Sequence, residues 1–443
     1  MPSLRERVDL ASITVTLLPL PKGKKRGSGV GFCGQEPVAL VKGAAAAPPY
    51  RWVNGKPEIL TYQDVKKIGA SGTSRSQIAG LWYTPKHDER ALVWTRDAAG
   101  EMTGVELHPA KWQKSNALAC SDTQQVGYGY EKFAEDPCRA LLWEGSRESL
   151  VVLTGPDPAV ETYGKGVADG IQVGYVGGAR QRHGCLWRGT TESHIDLHPP
   201  SDRLVGSDIL GAGDGQQVGH VWDEEMANGA ALWDGSPESF VSLAPAGFVR
   251  STAWACARGF QVGWAGKDDR GMQVRAILWS GSADDFLDLQ EFLPAPWNVS
   301  QALALLVDGN RLRILGTAQQ AVKSGGYEMN AGEVPVIWEI DRAVTADTFR
   351  QWLCLDFTPD PDAGAGVDYC LRLWLIIVEI DGVMKVGHLE PETDPQITLQ
   401  LEEETQGSSP SPSATLCELS LATAEEQVVD PAILPRSRDE SAC

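Results

Sequence analysis

Apolar residues in this chain fall in short runs broken by Gly, Asn, Asp and Ser, and the most regular run carries a tryptophan that is usually followed by a glycine turn. It recurs seven times, as Arg51-Trp52-Val53-Asn54-Gly55, Leu92-Val93-Trp94, Leu141-Leu142-Trp143-Glu144-Gly145, Leu186-Trp187-Arg188-Gly189, Leu232-Trp233-Asp234-Gly235, Ile277-Leu278-Trp279-Ser280-Gly281 and Val336-Ile337-Trp338. A second run precedes it: Gln125-Val126-Gly127-Tyr128, Gln172-Val173-Gly174-Tyr175, Gln217-Val218-Gly219-His220 and Gln261-Val262-Gly263-Trp264, with weaker forms at Gln77-Ile78-Ala79-Gly80 and Ile314-Leu315-Gly316. The tryptophans stand 42, 49, 44, 46, 46 and 59 residues apart, close to the roughly 40 to 50 residues of one four-stranded propeller blade.

One unit, residues 251–289, reads as four strands over 252–257, 260–265, 274–280 and 285–289. The first two are joined by a tight turn, which other units build as Asp169-Gly170, Asp214-Gly215 and Asp308-Gly309, a dipeptide that tolerates the positive φ of a two-residue hairpin. The last two are joined by the glycine turn after the tryptophan. Such a meander cannot bury both faces alone, so the pattern predicts an all-β fold, a seven-bladed β-propeller of four-stranded antiparallel blades stacked around an axis. Small residues recur six positions before the valine of the second run, at Cys120, Val167, Ala212 and Cys256, with Gly72 before Ile78, as crowding near an axis requires. The tryptophans belong on the third strand, where the gap between blades widens.

The succession Ala-x-Ala, Gly-x-Gln-Val-Gly-Tyr, variable loop, Ala-x-Leu-Trp-x-Gly and Asp-Leu resembles the HAF-repeat family of β-propeller proteins over roughly residues 60–340. The resemblance implies a repeat architecture with no established reaction or cofactor, and many members of that family look exported. The Gly-His and Trp-Asp pattern of Trp-Asp repeats is missing, as is the glycine-rich pattern of the chromatin-condensation regulator repeats.

The ends are less regular. The first repeat shows a second strand over 29–33, a tryptophan strand over 50–53 and a last strand over 58–62, without an innermost strand. Residues 352–357 fit the fourth strand of the last repeat. The β-rich run 369–388 is expected to close the ring by pairing with the first blade, because an open ring exposes two sheet edges; residues 10–20 are the alternative. The expected division is an N-terminal lead over 1–24, the propeller over 25–390 and an acidic, disordered tail over 391–443.

Charge and composition narrow the partners. A net charge of −20, from 39 Lys plus Arg against 59 Asp plus Glu, opposes attraction to nucleic acid or an anionic membrane. Twelve acidic residues against Arg436 and Arg438 lie in 389–443, with a Ser/Pro-rich stretch at 408–413, the composition of a solvated, disordered segment. No apolar run reaches the ~18 residues of a spanning helix. The apolar run 10–20 is followed by Lys22 to Arg26 where a cleavage region should stand, so it does not read as a secretion signal. Nine dispersed cysteines without a Cys-x-x-Cys fit reduced thiols in the cytoplasm better than a disulfide framework.

Chemistry is sparse in the sequence. His194 and His198 lie on a strand pattern, where four residues span ~13 Å, too far for one zinc ion; His108 shares the repeat position of His198, and both are expected to be structural. Gly-x-Ser-x-Gly, His-Glu-x-x-His, Walker A and a Gly-x-Gly-x-x-Gly before a helix are absent. Ser146, Ser236 and Ser282 recur in hairpins with no histidine at a matching offset. What varies between repeats is the connection from second to third strand, and its charged residues form a candidate binding rim: Asp88, Arg90, Lys132, Arg180, Arg182, His183, Asp223, Glu224, Glu225, Lys267, Asp268 and Arg270. The expected function is a non-catalytic binding or assembly scaffold for a protein or small molecule, without cofactor or metal. The alternative is a hydrolase or lyase centred on the propeller channel, its residues converging only in space.

Overall fold

In the computed structural model, residues 4–42, 47–133, 135–178, 181–225, 227–268, 273–324 and 327–342 are described, together with the strand segments Gln351–Phe357, Leu371–Ile380, Val383–Glu390 and Thr398–Glu402. The chain divides into two units, residues 1–342 and 343–443.

Turn chemistry sets the frame of the first unit. Asp169 and Gly170 hold φ of 52° and 74°, and Asp214 and Gly215 hold 49° and 80°, the paired left-handed conformations of a type I′ hairpin. The sixth repeat builds the same turn from Arg258 (51°) and Gly259 (74°), and the Arg258 amide donates to Asp214 Oδ2 of the preceding repeat at 2.7 Å.

Among the described residues, 1–342 hold five separate four-stranded antiparallel sheets and one eight-stranded sheet. In each four-stranded sheet the strands follow chain order, as in Leu204–Gly213, Gln216–Asp223, Asn228–Trp233 and Val241–Ser242. The first strand, at the sheet edge, carries a β-bulge in every repeat, with the register skipping Val30, Ser71, Leu118, Lys165, Leu210, Trp254 and Leu303. The glycine of the second run lies across from this kink: a Cβ on Gly127, Gly174, Gly219 or Gly263 would stand 1.8–1.9 Å from a first-strand carbonyl oxygen. The glutamine of the same run joins the two sequence markers. Gln125, Gln172, Gln217 and Gln261 are buried, and their Oε1 atoms accept the amides of Gly145, Gly189, Gly235 and Gly281, in the turn after each tryptophan, at 2.7–2.8 Å.

The core is a series of layers between consecutive sheets. Ile171, Val173 and Leu186 of one sheet pack on Ile209, Ala231 and Trp233 of the next, and Val218 and Leu232 pack on Ala253, Ile277 and Trp279 of the one after. All seven repeat tryptophans are buried, Trp52 at 2% and the other six at 0% exposure. First strands lie backbone to backbone, since a Cβ on Gly72 would meet Leu118 O at 2.5 Å and one on Gly211 would meet Trp254 O at 2.4 Å.

The ends of the chain correct four expectations. The first repeat does have an edge strand: Arg26–Cys33 takes that place, the left-handed Gly34 (59°) turns the chain, and Glu36–Lys42 is the second strand. Neither 369–388 nor 10–20 fills that position. Val8–Leu17 instead pairs antiparallel with Tyr327–Arg342 as the fourth strand of the last repeat, so the lead expected over 1–24 contains a structural strand. Leu10, Ile13, Val15 and Leu17 pack on the core beside Trp338. The eight-stranded sheet thus consists of two four-stranded halves, joined by one parallel pair, Arg26 with Glu333. Gln351–Phe357, expected to complete the last repeat, pairs with Leu371–Ile380; with Val383–Glu390 and Thr398–Glu402 these strands make a four-stranded sheet within 343–443. Apart from Thr398–Glu402, the predicted tail lies outside the described residues. No helix among the described residues is long and apolar enough to cross a membrane.

Candidate functional site

Two residues before the bulge, in the second to sixth repeats, the first-strand residue faces the residue that follows the motif glycine or its counterpart. These cross-strand pairs are Gly69 with Leu81, Asn116 with Tyr128, Tyr163 with Tyr175, Asp208 with His220 and Thr252 with Trp264. The position lies toward the end of the sheet opposite the Asp-Gly turns. The frame is constant and the side chains there are not, and four consecutive repeats carry polar and aromatic groups.

Tyrosines link these repeats. Tyr128 stacks on Tyr163 with centroids 4.3 Å apart, and Tyr163 on Tyr175 at 5.3 Å with 10° between planes. The Tyr128 hydroxyl donates to Glu89 Oε2 at 3.0 Å. Lys165, the one charged residue at a bulge position, places Nζ 4.9 Å from the Tyr163 ring and 5.7 Å from the Tyr175 ring. The Arg182 guanidinium lies 4.7 Å from the Tyr175 ring and 5.1 Å from that of Trp222. Gly206 makes room for Trp222, since a Cβ there would stand 2.0 Å from its ring.

Beside this stack is a buried carboxylate. Asp208 is 2% exposed, and its Oδ2 pairs with Arg182 Nη2 at 3.1 Å. Burial pushes its carboxyl pKa up, while Lys165 and Arg182 pull it back. Asp208 Oδ1, Arg182 Nε and His220 Nδ1 are buried with no hydrogen-bond partner. Burial, reinforced by Arg182 and Lys165, lowers the His220 imidazole to about 4, so it is neutral and proton-accepting at pH 7. Two titratable groups in one cross-strand pair, each with a buried polar atom lacking a partner, make this cluster the candidate site.

The residues expected to form a rim are placed unevenly. Arg182 belongs to the third strand Gln181–Trp187 and turns to Asp208; it is not a free loop charge. His183 is likewise engaged, its Nδ1 2.8 Å from Asp196 Oδ2 and its ring stacked on His198 at 4.1 Å. Asp223 Oδ1 accepts the Glu225 and Ala227 amides and so holds its own turn. Glu224 and Glu225 are exposed, Lys132 pairs with Glu135 at 3.4 Å, and Lys267 lies 5.5 Å from the Phe248 ring. Asp88 bonds within its loop to Thr84, while Arg90 and Asp268 are half-buried. Arg180 and Arg270 lie outside the described residues.

The histidines expected to be structural sit in the sheet packing. His108 Nδ1 is 2.7 Å from Ser115 Oγ, which accepts the Ala91 amide, and His198 Nδ1 is 3.0 Å from Ser207 Oγ, which accepts the Gly184 amide. His194 lies against the Trp187 ring instead.

Asp208, His220, Lys165 and Tyr163 were not singled out as site residues by sequence reasoning. The signal was present: the residue after Gln-Val-Gly changes from Tyr to Tyr to His to Trp while its neighbours repeat.

Comparison with protein-family models and with curated proteins gives no match. Among solved structures the chain resembles puromycin hydrolase, at 15% identity and a TM-score of 0.47, over 84% of this chain and 60% of that one. It also resembles the β-propeller domain of the Trilobed protease from Pyrococcus furiosus, at 9% and 0.46, over 74% and 98%, and the acylaminoacyl peptidase of Pyrococcus horikoshii, at 11% and 0.39, over 78% and 54%. The chain therefore spans about 60% of the length of puromycin hydrolase. The expectation of a non-catalytic scaffold that binds through a rim of free loop charges is corrected: Arg182 pairs with buried Asp208 and His183 with Asp196, so these members of the supposed rim are engaged internally.

Proposed function

We propose that residues 1–342 form a seven-bladed β-propeller of the HAF-repeat kind and that the protein is a propeller-type hydrolase or lyase acting on a small molecule at the cluster of Asp208, His220, Lys165 and Arg182. Seven four-stranded groups with one internal plan, and contact of the first strand of the last group with that of the first, support the ring. A cytosolic location belongs to the same proposal; buried, unpaired Cys33, Cys120, Cys138, Cys185 and Cys256 favour a reducing compartment.

The observation that carries the chemistry is the cross-strand pair Asp208 and His220, each with a buried unpartnered atom, flanked by two cations. Neutral His220 serves as general base toward an attacking water or a substrate carbon acid. Negative charge developing on the substrate oxygen is then stabilised by Lys165 and Arg182. Asp208 orients Arg182 and limits the excess positive charge.

The test is a panel of aryl esters, lactones and short uronate oligomers, followed by acid release or by the absorbance of a new double bond. Turnover that drops about 100-fold or more in His220→Gln, and that declines in the wild type as pH falls through about 4, is the expected result. Turnover indifferent to His220→Gln would remove this centre, and absence of turnover across the panel would count against catalysis.

A further inference from the structure

We infer that this site takes a substrate carrying a carboxylate, bound between Lys165 and Arg182; the inference rests on the catalytic reading for its location but concerns binding alone. Lys165 makes no ion pair or hydrogen bond with the protein among the described residues; its Nζ lies by the Tyr163 and Tyr175 rings, with Asp208 near enough to feel its charge. A half-buried ammonium on an otherwise apolar or small-residue set of bulge positions has no packing reason to be charged, since Leu occupies the same position in three other repeats. Arg182 engages Asp208 through Nη2 and leaves Nε buried without an acceptor.

Those two groups are donors lacking acceptors, set around the same tyrosine ring. A carboxylate offers two acceptor oxygens in a plane and suits a guanidinium and an ammonium together. Charge agrees. With His220 neutral, Lys165, Arg182 and Asp208 sum to one excess positive charge, inside a chain of net charge −20. Asp208 does not repel the ligand as a free carboxylate would, because Arg182 neutralises it at 3.1 Å.

The experiment compares phenylacetate, phenylacetamide and inorganic phosphate as probes of the full-length protein, by calorimetry and ligand-observed NMR, in wild type, Lys165→Met and Lys165→Arg. Expected are binding of phenylacetate over the other two, about tenfold or greater weakening in Lys165→Met, as loss of a charge-assisted bond implies, and partial recovery in Lys165→Arg. Equal binding of the acid and the amide overturns the inference, as does phosphate binding equal to phenylacetate, or Lys165→Met indistinguishable from wild type. Should Lys165→Met not fold, the wild-type acid-to-amide ratio and the Lys165→Arg affinity still decide. Carboxylate binding lost in Lys165→Met, in a protein that turns nothing over, supports this inference and overturns the catalytic one. His220-dependent turnover of neutral substrates without carboxylate preference does the reverse.

Discussion

Trp233 contributes through packing alone: it is fully buried, its indole N–H has no partner, and it fills the layer between two sheets beside Ile171, Val173, Leu186 and Ile209. Trp233→Ala should lower stability by about 3–5 kcal/mol in chemical denaturation; a loss under about 1 kcal/mol would contradict the layered packing. His108 acts through protonation. It is 3% exposed, and burial, with Arg90 and Arg147, pushes its imidazole down to about 3. The fold holds it neutral while the unfolded chain protonates near 6.5, so its contribution is complete above about 6.5 and is lost as pH falls from there toward 3. Between pH 7 and about pH 5 the wild type should lose roughly 2 kcal/mol more than His108→Gln; identical losses would rule out a neutral buried imidazole. The tryptophans and His108 were legible because each has a repeat position to declare it. Asp208 and His220 were not, because their partnership runs across a bulged hairpin and acquires meaning only with Lys165 from the preceding sheet.

The decisive element is the N-terminal strand. Val8–Leu17 covers the edge of Tyr327–Arg342, while Leu4 donates its amide to Asp285 at 2.6 Å and Arg7 sits 4.0 Å from the Phe260 ring. The strand therefore ties the sixth repeat to the seventh. Removing residues 1–17 should leave a long strand with an open edge and produce aggregation or a sharply lower melting temperature. Soluble, monomeric protein with an unchanged melt would show that this pairing is dispensable. In the sequence the segment looks like an apolar leader, because period-two alternation over one strand differs little from a short apolar run. The loop before Gln181–Trp187 was misjudged for a related reason. Loops are assigned from polar residues, and Arg182 is polar, but it lies in the ladder opposite Gly177 and faces a buried aspartate.

At the scale of the molecule, the strands of 343–443 pair with one another and those of 1–342 do likewise. A chain ending at Arg342 should thus retain one cooperative unfolding transition, checked by calorimetry; a broad, non-cooperative melt would show that the first unit depends on the second. The sequence by itself determined the repeat, its turns and its layers of tryptophan, because hairpin glycines and apolar periodicity are local and are stated seven times over. Only the tertiary structure decided which strand completes the last repeat and which side chains converge. Both depend on residues hundreds of positions or whole repeats apart, joined by one edge pairing or one buried ion pair that no local pattern records.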